Sequence, residues 1–351
     1  MPKNKFSKIS SIIKDAKKGK MFILVDDKNR ENEGDLIIPG SKCNSKSINF
    51  MAKHGRGLIC LALTKKQVDN LKLPLMSSVN KSRMQTAFTV SIEAKKGITT
   101  GISAHDRAKT IKTAINLKVK KSEIVSPGHV FPLVARNGGV LERAGHTEAS
   151  VDISKLAKLN PSSVICEVMN EDGRMARLND LFNFSKKHKI KLASIEDLIS
   201  YRFKYEKLVN KTALKSFKVN KVGKVNIHIY KNKLENNINF AITKGKFNQN
   251  KSIPVRVLSN KIESKHIMNN TSIKKFLRIM SKYKNFLLLI INNKNNFSKE
   301  KGINTLRYYG IGAQIIKDLN IKNMILISRS KKKIIGLDGF GLKIKKQIII
   351  R

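Results

Sequence analysis

The sequence predicts an α+β protein built from two domains. Short apolar runs of strand length alternate with helical patterns, but no strand–helix–strand unit repeats along the 351 residues, which disfavours a doubly wound sheet. A chain of this length corresponds to about two domains. The charge also changes near residue 200. Residues 1–200 carry 36 basic and 19 acidic side chains, whereas residues 201–351 carry 35 basic and only 6 acidic ones.

The first 200 residues alternate between predicted strands and predicted helices. Apolar or alternating runs predict strands at 21–25, 58–63, 88–92 and 164–168. Two patterns of the form Ser-x-x-Asp, beginning at Ser103 and Ser194, are typical of helix N-termini. The spacing of Leu178, Leu181 and Phe182 predicts a further helix.

Residues 201–221 are predicted to join the two domains. This stretch is basic and polar, and it shows no periodic pattern beyond the end of a helix. We place the boundary within 208–216, which gives a first domain at 1–208 and a second at 209–351. In the second domain, residues 310–319 have the pattern of an amphipathic helix and residues 324–328 that of a strand.

The net charge of +46 permits two interpretations. Such an excess of basic residues is typical of proteins that bind nucleic acid or another anionic surface. However, Lys, Asn and Ile are abundant throughout, and only 6% of the residues are aromatic. Because stacking and base readout depend on aromatic residues and Arg, specific nucleic-acid binding is disfavoured. We interpret the charge as the compositional drift of an AT-rich genome, which leaves weak nonspecific binding to polyanions.

The composition also excludes several classes of protein. Apolar runs such as 286–291 are far shorter than a membrane span, and the first thirty residues lack an apolar signal core. We therefore expect a cytoplasmic protein without membrane segments. The three cysteines, Cys43, Cys60 and Cys166, have no paired spacing, so neither a disulfide framework nor a thiolate zinc site is expected.

Residues 26–35, with the sequence DDKNRENEGD, form the first segment that indicates chemistry. Five carboxylates follow the predicted strand at 21–25 and would repel one another if packed together. A divalent cation such as Mg2+, bound with an anionic substrate, would relieve this repulsion, and Arg30 suits a phosphate or carboxylate. The alternative is a solvated acidic turn. The alternation of Glu31, Glu33 and Asp35 on one face of an extended chain favours the functional interpretation.

Residues 126–149 form the second such segment. Its glycines allow a backbone to approach a ligand closely, and they flank His129, Glu142, Arg143, His146 and Glu148. A single histidine is more often structural than catalytic. His146 lies in a glycine-rich turn, where few core residues would surround it. A purely structural role is therefore less expected for His146 than for an average histidine.

Together with residues 97–107 and 165–173, these two segments resemble the 3,4-dihydroxy-2-butanone 4-phosphate synthase family. The resemblance runs in order through residues 6–203. It implies a three-layer α/β/α domain with a mixed sheet. It also implies the conversion of ribulose 5-phosphate to the four-carbon precursor of riboflavin, with release of formate. The implied cofactor is Mg2+ or Mn2+, two ions per active site, without zinc.

The resemblance implies roles for individual residues. Glu31 and His146 match metal ligands, and His129 and Glu167 match positions that are essential for activity. The positions that match the family's substrate-binding and pocket-lining residues form a larger group: Arg30, Glu31, Asp35, Cys60, Thr100, Arg143, Ala144, Gly145, His146, Thr147 and Glu167. A carboxylate must take the first proton. Asp35 is the preferred base and Glu33 the second choice.

Two further expectations come from the same resemblance. The family is dimeric with an active site shared across the interface, so His129 can serve the pocket of the partner. The chain departs from the family in residues 77–87, where a glycine-bearing approach to Phe88 is replaced by KSRMQTA at 81–87. We expect this departure to leave activity intact.

Residues 209–351 resemble a GTP cyclohydrolase II domain that has lost its site. Residues 211–214, 307–319 and 336–342 match the family, but the match is lost between 260 and 300. No cysteine follows Cys166, so the zinc site of that family cannot form. Residues 291–297 stand where its glycine motif belongs. We therefore expect no cyclohydrolase activity from this domain.

Three hypotheses follow for the whole chain. The leading one is a Mg2+-dependent synthase with a degenerate second domain. The second is that the basic second domain binds RNA or another polyanion, or serves as a scaffolding module, while the first domain is active or vestigial. The third is a scaffold for riboflavin enzymes that performs no chemistry, and the intact acidic and histidine segments disfavour it.

Overall fold

The computed structural model describes residues 5–28, 30–233, 237–248, 250–260, 267, 270–292, 303–330 and 340–350. The chain divides into two compact units, Met1–Ile199 and Ser200–Arg351. The domain boundary placed after residue 208 stays a prediction. Within the described part of the chain, no helix combines the length and the apolar character needed to cross a membrane.

The first unit contains one seven-stranded sheet with helices on both faces. Its strands are β1 (Phe22–Val25), β2 (Gly34–Pro39), β3 (Cys60–Thr64), β4 (Ile92–Ala94), β5 (Ile124–Ala135), β6 (Ser163–Glu167) and β7 (Lys191–Ser194). Its helices are α1 (Ile9–Lys17), α2 (Ser45–Phe50), α3 (Lys65–Leu71), α4 (Ala104–Ala114), α5 (His146–Leu156) and α6 (Leu178–His188), and α7 (Ile195–Tyr205) crosses the division between the units. Short 3-10 helices lie at Gly40–Lys42, Lys121–Glu123 and Gly139–Leu141, and a π-helix lies at Met51–Gly55.

The strand order is β4-β5-β3-β6-β2-β1-β7, and the sheet is mixed. The pairs β3–β5 and β1–β7 are parallel, while β1–β2, β2–β6, β3–β6 and β4–β5 are antiparallel. Side chains at alternate strand positions, such as Leu36 and Leu61, form a buried cluster with residues of α2, α4 and α6. On the opposite face, Val151 of α5 packs against Ala62 and Ala135. This is the expected three-layer α/β/α arrangement with a mixed sheet.

Most predicted elements of the first unit are confirmed, but the strand predicted at 88–92 is wrong. Regular pairing begins only at Ile92, and residues 88 and 89 form isolated bridges. The amide of Thr89 donates to the carbonyl oxygen of Pro132, and the amide of Val90 donates to that of Pro74. Because proline has no N–H group to return a hydrogen bond, a continuous ladder cannot form here. The alternating pattern therefore reflects side-chain burial without a regular strand.

The second unit contains a second seven-stranded sheet, of order β14-β13-β11-β12-β10-β9-β8. Its strands are β8 (Val209–Val219), β9 (Gly223–Asn232), β10 (Ile238–Lys244), β11 (Ser252–Asn260), β12 (Phe286–Asn292), β13 (Asn323–Ser328) and β14 (Lys343–Ile349). Its helices are α8 (Thr271–Met280) and α9 (Ile303–Asp318). Ile273, Phe276 and Met280 of α8 are buried in one cluster with apolar residues of β9, β10 and β12. The predicted helix at 310–319 and strand at 324–328 are confirmed.

The description of residues 201–221 as an unpatterned junction is wrong. Residues 209–219 form β8, which pairs with β9 along its whole length. β8 is the last strand in the sheet order, and of its eleven residues only Val209 is buried. An edge strand that is exposed on both faces needs no apolar alternation, so periodicity could not reveal it. The glycine stretch at 336–339 and the altered segment at 293–297 lie outside the described residues.

Candidate active site

The acidic segment is the loop that connects β1 to the antiparallel strand β2. Asp26, the first residue after β1, is buried, and its carboxylate accepts hydrogen bonds from the backbone amides of Glu31 at 3.1 Å and Glu33 at 2.9 Å. It also accepts a hydrogen bond from Nη1 of Arg30 at 2.8 Å. The loop therefore folds around one buried carboxylate. This arrangement disfavours the alternative of a solvated acidic turn.

Two arginines hold this loop. Arg30 also pairs with the carboxylate of Glu31. Arg177, at the N-terminus of α6, donates from Nη1 to the carbonyl oxygens of Glu31 at 2.7 Å and Asn32 at 2.9 Å, and lies 3.5 Å from Oε1 of Glu33. Arg177 is not among the site residues predicted from the sequence. It lies 146 positions from Glu31, so no local pattern connects the two residues.

Three side chains on two elements could together hold a metal ion. Possible ligand atoms of Asp26, Glu31 and His146 all lie within 4.8 Å of one another. His146 is the first residue of α5, and its buried Nε2 has no hydrogen-bond partner among the described residues. Burial lowers the pKa of His146, and Arg30 adds to this effect while Asp26 and Glu31 oppose it. A neutral imidazole with a free nitrogen beside two carboxylates suits a divalent cation.

Glu31 and His146 are the ligands predicted from the sequence, whereas Asp26 is not among the predicted site residues. All three fit a cation, because an orphaned buried nitrogen is costly unless something binds it. Mg2+ accepts carboxylate oxygens readily, and Mn2+ tolerates imidazole as well.

Strand register brings three further predicted residues to the face of the sheet that α5 covers. Asp35 of β2 lies opposite Glu167 of β6, and Cys60 of β3 lies opposite Ile165. Because residues two apart on a strand share a face, Cys60 joins Asp35 and Glu167. Oδ1 of Asp35 is 3.7 Å from Nδ1 of His146. The predicted pocket residues are thus placed together by β2, β3, β6 and the start of α5.

Three carboxyl groups of this site, those of Asp35, Glu167 and Glu33, have a raised pKa. Burial, and then the charge of Glu167, raise the pKa of Asp35 well above its ordinary value. Burial also raises the pKa of Glu167, although the amide of Leu58 donates to its Oε2 at 2.8 Å and opposes this. For Glu33, burial and the charge of Glu31 raise the pKa, while Arg177 lowers it. A cation bound here would relieve this repulsion.

The turn at 143–147 leads directly into the N-terminus of α5. Arg143 donates from Nη1 to the buried carboxylate of Glu148 at 2.7 Å. Its other nitrogens donate to the carbonyl oxygen of Met84 at 2.9 and 3.2 Å and to Oγ1 of Thr86 at 3.0 Å. Ala144, Gly145 and Thr147 are buried around it. Arg143 therefore ties residues 84–86, in the stretch that departs from the family, to the start of α5.

Glu148→Gln is expected to loosen the loop at residues 77–87. The substitution removes the charge that holds Arg143, and a hydrogen bond to a charged group contributes about 1.5–3 kcal/mol. Lys81 and Arg83 are exposed in this loop. Trypsin should therefore cleave after them about tenfold faster in the variant, because cleavage follows the open population. Glu142→Gln, at an exposed carboxylate that accepts from the amide of Gly138, is the matched control. Equal cleavage rates in all three proteins would contradict the role of Arg143 as an anchor.

His129 belongs to a second group of side chains. It lies on β5, its side chain is 44% exposed, and its Nδ1 is 2.5 Å from Oε1 of Glu93 on β4. Thr100, predicted to line the pocket, is exposed in the turn just before Gly101. Phe131 pairs with Cys60, so the side chains of these two residues lie on the same face of the sheet. His129 is two residues from Phe131 on β5, so its side chain lies on that face as well.

A family model described as 3,4-dihydroxy-2-butanone 4-phosphate synthase matches residues 10–201. The chain belongs to this family. Riboflavin biosynthesis protein RibBA of Aquifex aeolicus (strain VF5) is 43% identical over 378 residues, which cover 99% of this chain and 93% of that protein. A 3,4-dihydroxy-2-butanone 4-phosphate synthase of Photobacterium phosphoreum is 43% identical over 360 residues, with 96% and 98% covered. These matches place the chain in riboflavin biosynthesis.

Solved structures extend the similarity to both units of the synthase. RibBX, a two-domain 3,4-dihydroxy-2-butanone 4-phosphate synthase from A. baumannii, has a TM-score of 0.81 and 36% identity, and covers 98% of this chain and 99% of that one. A synthase solved in complex with two magnesium ions has a TM-score of 0.55 and 38% identity, and covers 57% of this chain and 98% of that one. A family model described as GTP cyclohydrolase II matches only residues 293–349.

The structure of this synthase brings most of the predicted site residues together. One group contains Arg30, Glu31, Glu33, Asp35, Cys60, His146 and Glu167, and the turn at 143–147 adjoins it through His146. His129 lies with Glu93 in the second group, and Thr100 directly precedes Gly101, which lies against Glu93. The roles assigned to these residues stay predictions.

Proposed function

We propose that this synthase converts D-ribulose 5-phosphate to 3,4-dihydroxy-2-butanone 4-phosphate and formate in the cytoplasm. One observation supports this most strongly. The buried Nε2 of His146 has no hydrogen-bond partner among the described residues, a ring nitrogen of His146 lies within 4.8 Å of carboxylate oxygens of Asp26 and Glu31, and Asp35 lies opposite Glu167 on the neighbouring strand. A ketose phosphate needs a cation for its oxygens and a carboxylate for its acidic protons, and this group of residues offers both.

Glu31 and His146 are proposed to hold Mg2+ or Mn2+, with Asp26 close enough to assist. A bound divalent ion would supply Lewis acidity toward the carbonyl and hydroxyl oxygens of the sugar. The related synthase solved with two magnesium ions supports two ions per site. Zinc is not proposed, because no cysteine thiolate lies in this group except the buried Cys60, whose pKa is raised by burial.

Asp35 is proposed to take the first proton from the sugar, with Glu33 as the second choice. A general base works best when its pKa lies near the working pH, and the pKa of each of these carboxyl groups is raised. Asp35 is the more buried of the two. Its position on a strand, beside His146 and opposite Glu167, fixes it more firmly than the loop fixes Glu33.

The phosphate group is proposed to lie at the turn formed by residues 143–147. The N-terminus of α5 offers backbone amides and the positive end of a helix dipole. Arg143 is bonded to Glu148 and to the loop at 84–86, so its contribution in this arrangement is to shape the turn. Arg30 adds positive charge from the acidic loop.

The test is incubation with ribulose 5-phosphate and Mg2+, with formate measured enzymatically and the four-carbon phosphate identified by mass spectrometry. Formate should appear in a one-to-one ratio with the product and should require the metal. Folded, metal-loaded protein that releases no formate would overturn the proposal.

The second unit is proposed to lack GTP cyclohydrolase II activity. Residues 200–351 contain no cysteine, so a thiolate zinc site cannot be assembled there. Incubation with GTP and Zn2+ should release no pyrophosphate, while a cyclohydrolase II that retains its cysteines serves as the positive control. Release above the rate of a no-enzyme blank would contradict this proposal.

The synthase is further proposed to be a homodimer with shared active sites. Several large apolar side chains are exposed in the first unit: Leu58, Leu75, Met76, Val79, Ile102, Leu117 and Val125. Where such groups form a contiguous patch, they mark a surface that another chain covers. Sedimentation equilibrium should give about twice the mass of 39.6 kDa.

A further inference from the structure

We propose that Glu93 is a positioning residue for His129, and that residues 99–106 form the support that holds Glu93 in place. The inference rests on the proposed function, because it assigns a task to a residue beside a predicted catalytic histidine. It also explains the presence of the segment at 97–107, which is not part of the group of metal-ligand and carboxylate residues around His146.

The contact itself is short and specific. Nδ1 of His129 is 2.5 Å from Oε1 of Glu93, and the Glu93 side chain is only 14% exposed whereas that of His129 is 44% exposed. An ionised carboxylate can only accept, so Nδ1 carries a proton, and in the neutral form of the ring Nε2 keeps its lone pair. The exposed ring is thereby held in one tautomer and one orientation, which is what a proton-transferring histidine requires.

Local backbone features bring Glu93 to this position. The pairing of β4 with β5 shifts register between Ile92 and Glu93, where Ile92 lies opposite Val130 but Glu93 lies opposite Val125. A bulge of this kind redirects a side chain near a functional site. Ile92 and Val130 are buried in the cluster on the face away from α5. His129, as the neighbour of Val130, points to the other face, which carries the metal candidates, and the contact with Nδ1 of His129 places the Glu93 carboxylate there as well.

The turn at 99–101 packs against Glu93 and is fixed by a buried acid. Gly101 has φ +92°, and a Cβ there would overlap the carboxylate of Glu93, so this position needs glycine. Asp106 accepts from the amide and hydroxyl of Thr99 at 3.2 and 2.8 Å and from the amide of Gly101 at 3.1 Å. Asp106 thus closes the turn around Glu93. The helix α4 carries Asp106, and its own N-terminus is capped by Ser103.

The experiment combines kinetics with the NMR spectrum of the histidine rings. Protein labelled with 15N-histidine contains seven histidines, and His129→Gln identifies the ring signals of His129. In the unaltered protein, His129 should show a protonated Nδ1 and an unprotonated Nε2. Glu93→Ala should shift the ring to the Nε2-protonated tautomer and lower kcat by about 10- to 100-fold, with KM changed less than about twofold.

Two further variants sharpen the result. Glu93→Gln keeps an acceptor oxygen, so it should keep the tautomer and lower kcat by about tenfold at most. Glu123→Gln, at an exposed carboxylate that accepts from the amide of Lys120, is the matched control and should leave both readouts unchanged. Thermal melting of each variant identifies a loss of fold, which would lower the active fraction without changing the tautomer of the folded protein.

Either of two results would overturn the proposal: kcat of Glu93→Ala within about twofold of the unaltered protein, or a His129 tautomer that Glu93→Ala does not change. If the unaltered protein releases no formate, the proposed function fails, but the NMR measurement still decides whether Glu93 fixes the ring of His129. The two failures are therefore distinguishable.

Discussion

Replacement of His146 by alanine, or of Glu31 by glutamine, is expected to lower kcat for formate release by about a thousandfold or more. His146 has a buried nitrogen without a hydrogen-bond partner among the described residues, and a carboxylate oxygen of Glu31 lies within 4.8 Å of a ring nitrogen of His146. Without either ligand, the charge of Asp26, Asp35 and Glu33 has no cation to balance it. The loss should therefore appear in metal binding as well as in turnover.

Metal binding is measured by titrating Mn2+ and following the electron paramagnetic resonance signal of the free ion. Each substitution should weaken Mn2+ binding at least about tenfold. His228→Ala, on β9 of the second unit, and Glu123→Gln, at an exposed carboxylate, provide matched controls of the same chemical change. Normal Mn2+ binding in an inactive His146→Ala protein would show that His146 acts on the substrate instead, and the ligand assignment would have to be abandoned.

The elements that could be predicted from the sequence are those in which the pattern of apolar and polar side chains follows their burial. β1 and β6 are buried on both faces, so their apolar runs are continuous and easy to identify. β8 is the opposite case, because ten of its eleven side chains are not buried and its stability comes from backbone pairing with β9. At 88–92 the side chains alternate as in a strand, but Pro74 and Pro132 cannot return the hydrogen bonds that a ladder needs.

The site shows the same division. Glu31, Asp35 and His146 could be predicted because chemically unusual residues stand at fixed spacings within short segments. Asp26 stands in the same acidic segment, but its part in folding the loop depends on amides five and seven residues away. Arg177 holds the loop from a distant helix. Glu93 looks like an ordinary strand residue until the register shift in β4 places it against His129. Sequence therefore points to the residues assigned to the site better than to the residues that position them.

Asp35→Asn is expected to abolish formate release while raising the melting temperature of the metal-free protein by about 3 °C. Asp35 is 3% exposed, and burial together with the charge of Glu167 raises its pKa well above the ordinary value. Asparagine keeps the size of the side chain and removes the charge. The same burial that prepares Asp35 as a base thus costs stability, which is a common trade at active sites.

The sign of the pH dependence follows from linkage. Between the ordinary pKa of 3.8 and the raised pKa, the native state binds more protons at Asp35 than the unfolded state does. Stability of the unaltered protein therefore falls as pH rises through this window and levels off above the raised pKa. The Asp35→Asn variant has no ionisable group at this position, so its stability does not fall in this way. The difference in melting temperature should be smallest near pH 4, grow as pH rises, and then stay constant.

Scanning calorimetry in EDTA across this range measures the difference, and a second series with saturating Mg2+ provides the internal check. A bound cation offsets the charge of Asp35 in the unaltered protein, so the advantage of the variant should shrink when Mg2+ is added. Asp69→Asn, which alters an exposed pair with Lys65 on α3, should change the melting temperature by less than about 1 °C at every pH. A melting temperature of Asp35→Asn that falls below that of the unaltered protein at high pH would mean that the ionised carboxylate stabilises the fold. Asp35 would then be a structural anchor, and the choice of base would pass to Glu33.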